Sequence, residues 1–201
     1  DEPLGQPGDV QPDQRPRGVA VDVVPRLPDR PEDPAAFQFP LPELALLRGF
    51  HELGRPDSRF KSPLGIERAA ERGAIVTLVE LEGQSGPARV VASERLIGNT
   101  VITAHTTADA GGRPRVHLLV FGHLEAAGPE VKVGEELPGG AQVGFAGDSG
   151  SPGLVRLYLD ARRVREGQEL TGLRAEQLLE PSTSVPTDLR NVLPLRPQSD
   201  N

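Results

Sequence analysis

Apolar and polar positions along this chain change in short blocks, cut by glycine and rich in Val and Ile, rather than in the longer 3.6-residue repeats of helices. The pattern predicts strands near 74–81, 87–93, 99–105, 115–121, 130–133, 141–146 and 154–161. Helical spacing is confined to about 42–50, where Leu44, Leu47 and Phe50 share a face, and to about 173–180 after Thr171-Gly172. Ala110-Gly111-Gly112-Arg113 between two apolar runs predicts an antiparallel hairpin. A mainly antiparallel β domain over 41–180 follows. Residues 1–40 hold nine of the 21 prolines, with many Asp, Gln and Arg, and are read as an extended Pro-rich tail without a core of its own. Only Val19 to Val24 there has strand character, at a sheet edge because Pro25 and Pro28 follow. Residues 181–201, with Pro181, Pro186, Pro194 and Pro197, read as a second loose tail.

The 201 residues suffice for one ordinary domain plus tails. A net charge of −7 excludes the basic footprint that nucleic acid or an anionic membrane surface requires. Only Lys61 and Lys132 among the 22 basic residues are lysines, a bias that composition explains better than arginine-based recognition. No apolar run approaches the ~20 residues of a membrane helix. Without cysteine there is no disulfide, thiolate catalysis or cysteine-bound zinc. The chain begins at Asp1, as a processed exported protein would, which predicts a periplasmic or secreted location.

Four segments carry a more specific signal. Ile97-Gly98-Asn99-Thr100-Val101-Ile102-Thr103-Ala104-His105 resembles the G-N-x-V-x-I-x-H segment of the M23 or LytM-type peptidoglycan endopeptidases, with Thr103 where Ile is expected. Phe121-Gly122-His123-Leu124 resembles their Y-A-H-L, Val131 to Leu137 their V-x-x-G-x-x-I turn, and Gly144 to Pro152 their G-x-x-G-x-T-G-x-S. The resemblance implies an antiparallel LytM/M23-like β domain with barrel-sandwich-like sheets. In that family zinc is held by the His and Asp of one motif and the second His of H-x-H, with an open fourth position for water.

Carried over residue by residue, the resemblance leaves the site degenerate. Arg156 and Tyr158 stand where H-x-H would be, and Pro63 and Glu67 stand for the His and Asp of H-x-G-x-D; His123 is kept. Strand alternation supports this register, since it sets Val155, Leu157 and Leu159 on the core face and Arg156, Tyr158 and Asp160 on the other. A guanidinium opposes a dication and favours pairing with Glu67, and a phenol is a poor zinc ligand at neutral pH. No metal and no cofactor are therefore expected. The function implied is that of a non-catalytic envelope protein, a pseudo-peptidase that binds a protein partner, such as a peptidoglycan hydrolase, or peptidoglycan itself.

Alternative readings are a structural subunit of an envelope assembly held by its tails, an active zinc endopeptidase, and a GDSG-type serine protease with Ser149 as nucleophile and His105 as base. The last is disfavoured by the 43 residues between the two motifs. His105 reads as a strand-end structural residue, and His51 and His117 as surface residues. Lys132, between two valines, reads as a solvated strand face rather than the modified lysine of a biotinyl or lipoyl carrier.

Overall fold

A computed structural model describes residues 22–41, 46–48 and 65–197. Pro63 and His51 lie outside them. In chain order the strands are β1 (Leu46–Arg48), β2 (Ile66–Ala69), β3 (Ile75–Thr77), β4 (Ala88–Leu96), β5 (Gly98–Ala108), β6 (Pro114–Ala127), β7 (Glu136–Leu137), β8 (Gln142–Ala146), β9 (Arg156–Val164) and β10 (Ser184–Thr187), with one short helix, α1 (Ala175–Leu178), before β10. Every pairing between these strands is antiparallel. The main order is β1-β2-β9-β6-β5-β4-β7, with β10 extending from β9, β8 joined to the far end of β6, and β3 joined to β8.

The fourteen-residue β6 organises the fold because its apolar run is hydrophobic on both faces. Leu119, Phe121 and Leu124 join Val101, Leu157, Leu159 and Phe37 in the larger core. Leu118 and Val120 face Ile102, Tyr158, Ala175 and Leu178 in the smaller one. A strand buried on both sides reads as a continuous apolar run rather than an alternating one. At the β5–β6 hairpin, Asp109 Oδ1 accepts from the Gly111 and Arg113 amides at 2.9 Å each, and Gly112 takes φ +74°.

Three local expectations are corrected. Residues 130–133 form a turn, in which Val131 N donates to Gly128 O, Glu135 N donates to Lys132 O, and Gly134 takes φ +94°. Lys132 is thus on a turn and not a strand face. It is at the tip of no paired hairpin, because the strand that follows, β7, pairs with β4 rather than β6. Within 42–50, where helical spacing was expected, Leu46–Arg48 is a strand against β2. Only Ile75–Thr77 of the expected strand 74–81 is paired as one.

The described parts of the terminal segments, residues 22–41 and 181–197, pack on the domain rather than hanging loose. Val185, Leu189, Val192 and Leu193 are buried, and β10 pairs with β9 from Ser184↔Val164 to Thr187↔Ala161. Residues 22–41 lie extended over this C-terminal stretch, with Val24 bridged to Thr187 and Phe37 bridged to Leu195. Phe37 is fully buried in the larger core. The two segments fasten each other: Arg190 pairs with Asp188 at 2.8 Å and donates to Glu32 O, while Arg30 donates to Arg190 O and Leu193 O. Proline is tolerated here because Pro186 needs only to accept, and it does so from Val24 N at 2.9 Å.

Candidate functional site

Strand β9 runs between β2 and β6, so Tyr158 has Glu67 opposite on one side and Gly122 on the other. Next to Gly122, His123 sits in a bulge: Asn99 pairs with Leu124 and Val101 with Phe121, which leaves two residues of β6 facing Thr100 alone. His123 is the one non-glycine residue among those described with positive φ, at 59°. A bulky side chain in that region is uncommon and persists where its surroundings fix it. Here they do so twice. His123 N donates to Ile97 O at 2.7 Å, and Nδ1 lies 2.8 Å from Ser149 O. A carbonyl can only accept, so Nδ1 carries the ring proton and Nε2 is the atom turned toward Glu67, 3.8 Å from Oε1.

Glu67 is shared. Its Oε2 lies 3.4 Å from Arg156 Nε, and Arg156 Nη1 donates to Leu154 O at 2.8 Å. Tyr158 meets the His123 ring edge to face, with centroids 6.5 Å apart and planes at 88°. The structure thus brings Glu67, His123, Arg156 and Tyr158 together, each no more than about a tenth exposed. The alternation of β9 is as expected, yet both of its faces are covered, since Tyr158 packs in the smaller core beneath α1.

The loop after β8 holds the cluster from one side. A Cβ on Gly98 would lie 2.1 Å from Ser149 O, and one on Gly150 would lie 2.7 Å from the Gly98 backbone, so the two motif glycines interlock. Ser149 Oγ accepts from Asn99 N at 2.9 Å and donates to Leu124 O at 2.6 Å. Arg72 clamps the rim, pairing with Glu125 at 2.6 Å and Asp148 at 2.9 Å. The Asp148 carboxyl is held below its ordinary range by the Gly153 amide and by Arg72.

These contacts correct the serine-protease reading. The Ser149 hydroxyl is committed to two backbone groups. Both His105 ring nitrogens are occupied elsewhere, Nδ1 by Gln84 Oε1 and Nε2 by Thr103 Oγ1 at 2.8 Å each. His105 is also six residues along β5 from Asn99, roughly 20 Å at strand rise. His117 differs from the surface reading as well, being half-buried with Nδ1 2.9 Å from Thr107 Oγ1.

Burial pushes the His105 pKa down to about 3, and burial with Arg163 and Arg115 nearby pushes His117 down to about 4. Both rings fold neutral, whereas the unfolded chain takes up their protons near pH 6.5. Stability therefore falls as pH drops below about 6.5 and keeps falling until the folded pKa values are passed. Denaturation midpoints between about pH 6.5 and 4.5, above the carboxylate range, should decline with acid, and His105→Gln should flatten that decline.

The described residues do not assemble a zinc site. Among them no three His, Asp or Glu side chains converge. Glu67 and His123 supply two donors, but both carboxylate oxygens are engaged and one faces a guanidinium that would repel a dication.

No protein-family model matches the sequence, and no curated protein matches it. Solved structures do. The chain is similar to M23 peptidases. The catalytic domain of the prophage-encoded M23 protein EnpA from Enterococcus faecalis is 22% identical, covering 68% of this chain and 94% of that one with a TM-score of 0.43. A zinc-containing peptidase from Vibrio cholerae is 22% identical over 64% of this chain and 37% of its own, with a TM-score of 0.46. The antimicrobial peptidase lysostaphin from Staphylococcus simulans is 15% identical over 71% and 48%, with a TM-score of 0.45. The chain spans less than half the length of the last two.

The four side chains are legible in the sequence, whereas the backbone that seats them is not. The carbonyls of Ile97, Ser149 and Leu154 have no residue-type signature. The glycines that bring the first two close were the only available sign.

Proposed function

We propose that this protein is a non-catalytic, M23-like domain of the cell envelope, periplasmic or secreted, that binds a protein partner or peptidoglycan. The observation that carries the reading is the Arg156 guanidinium 3.4 Å from Glu67, a permanent cation in the cluster where the motif resemblance would place a metal. An Arg–carboxylate contact enclosed in this way is a structural device. The guanidinium cannot activate a water as a bound metal would, and His123 Nε2, the ring nitrogen left to act as a base, faces the Glu67 carboxylate at 3.8 Å. With the four side chains buried, binding falls to the rim, where Arg72 and Glu125 are each about half exposed.

The alternative of a subunit held by its tails is weakened for the segments described, since residues 22–41 and 181–197 pack on their own domain. Removal of residues 1–21 is the appropriate truncation, because cutting at 40 would extract Phe37 from the core. Co-sedimentation with purified peptidoglycan should retain the full chain and the chain lacking 1–21 equally, without hydrolysing the polymer. Loss of retention in the truncated chain alone would transfer binding to the tail. Arg156→His combined with Tyr158→His should leave hydrolysis absent even with added zinc, and zinc-dependent cleavage by that variant would refute the reading.

A further inference from the structure

A second concave site lies at the other end of the sheet, about 20 Å from His123 as judged by the six-residue step along β6 from it to His117. It is a cleft of about 460 Å³ between the strap at 24–30 and the β5–β6 hairpin end. One wall is the sheet, with His117 on β6 directly opposite Arg163 on β9. The other is the strap, which contributes Asp29. We propose that this cleft binds a zwitterionic ligand, an amino acid or short peptide with both termini free, its carboxylate on Arg163 and His117 and its ammonium on Asp29.

Most of the charges around the cleft are already satisfied. Arg115 pairs with Asp109 and Glu166, and Arg30 lies 3.8 Å from Glu82 while donating to backbone carbonyls. Asn191 is committed to Leu27 N and Pro25 O. Arg163 and Asp29 are both exposed, and neither makes a hydrogen bond or ion pair among the described residues. Nor do they pair with each other, although both line the same cleft. An unsatisfied cation and an unsatisfied anion on separate walls are complementary to a molecule carrying both charges, and a few convergent polar groups in a concavity are the usual marks of a small-molecule site. His117 adds a neutral partner: its Nδ1 lies 2.9 Å from the Thr107 hydroxyl, which can donate to it, and in that tautomer Nε2 carries the proton and can donate to a carboxylate. The cleft is separate from the Arg156 cluster, so its proposal stands or falls independently of the one above.

The test is a titration of the full chain with alanine and its di-, tri- and tetrapeptides, followed by amide and imidazole NMR shifts. At least one length should bind saturably and perturb His117, Arg163 and Asp29. N-acetylation or C-terminal amidation of that peptide should each weaken binding by about tenfold or more. Arg163→Gln should abolish discrimination against the amide, and Asp29→Asn discrimination against the acetyl form. Both variants should melt as the unsubstituted chain does, because neither side chain is buried or paired. Absence of saturable binding across the series, equal binding of blocked and free peptides, or shifts confined to another surface would overturn the proposal.

Discussion

Replacing Arg156 with Met lowers the unfolding free energy by about 3–5 kcal/mol, the range for breaking one side of an enclosed ion pair. The side chains of Arg156 and Glu67 are 9% and 11% exposed, so water cannot take over the role of the lost guanidinium. The carboxylate would keep His123 Nε2 at 3.8 Å but lose the guanidinium at 3.4 Å. Combining Arg156→Met with Glu67→Gln should recover part of the loss, with a coupling above about 1 kcal/mol. Urea denaturation followed by circular dichroism measures this. A single-variant loss below about 0.5 kcal/mol, the level of an ordinary surface substitution, would mean that the pair is idle.

Gly98→Ala is expected to be comparably severe, for a different reason. At φ +60° an alanine costs about 1–2 kcal/mol relative to glycine, and its Cβ would meet Ser149 O at 2.1 Å. The obstacle is backbone in a loop already fixed by Gly150, so relief must move the carbonyl that holds His123 Nδ1. A total loss of about 3 kcal/mol or more places the variant among the destabilising tail of point mutations. The His123 resonances should shift with it. Gly112→Ala, which has positive φ but open space around its Cβ, is the control and should cost only the conformational part.

Much of the sheet was legible because two-residue alternation and glycine punctuation act locally. The Arg156, Tyr158, Asp160 face of β9 could be read from its neighbours Leu157 and Leu159, and the β5–β6 hairpin from Ala110 to Arg113. The C-terminal segment was not legible, because its prolines weigh toward a loose reading while the burial of Val185 and Leu189 is decided by distant partners on β9 and the strap. The same holds for Leu46–Arg48, whose spacing fits a helix but whose edge position against β2 makes it a strand. At the site, side-chain identities pointed to Glu67, His123, Arg156 and Tyr158. Their burial did not show, since α1 covers the second face of the sheet from far along the chain. Pro63, the fifth position of that reading, lies outside the described residues.

Tyr158 is the sole tyrosine of a chain without tryptophan, and it packs against His123, so its emission reports on this cluster alone. The most direct measurement equilibrates the purified chain with excess zinc, removes unbound metal by gel filtration, and determines retained zinc alongside hydrolysis of purified peptidoglycan. The account predicts well under one zinc per chain, no change in Tyr158 emission during the titration, and no loss of peptidoglycan turbidity. One equivalent of retained zinc, with chelator-sensitive hydrolysis and a quenched Tyr158, would contradict it.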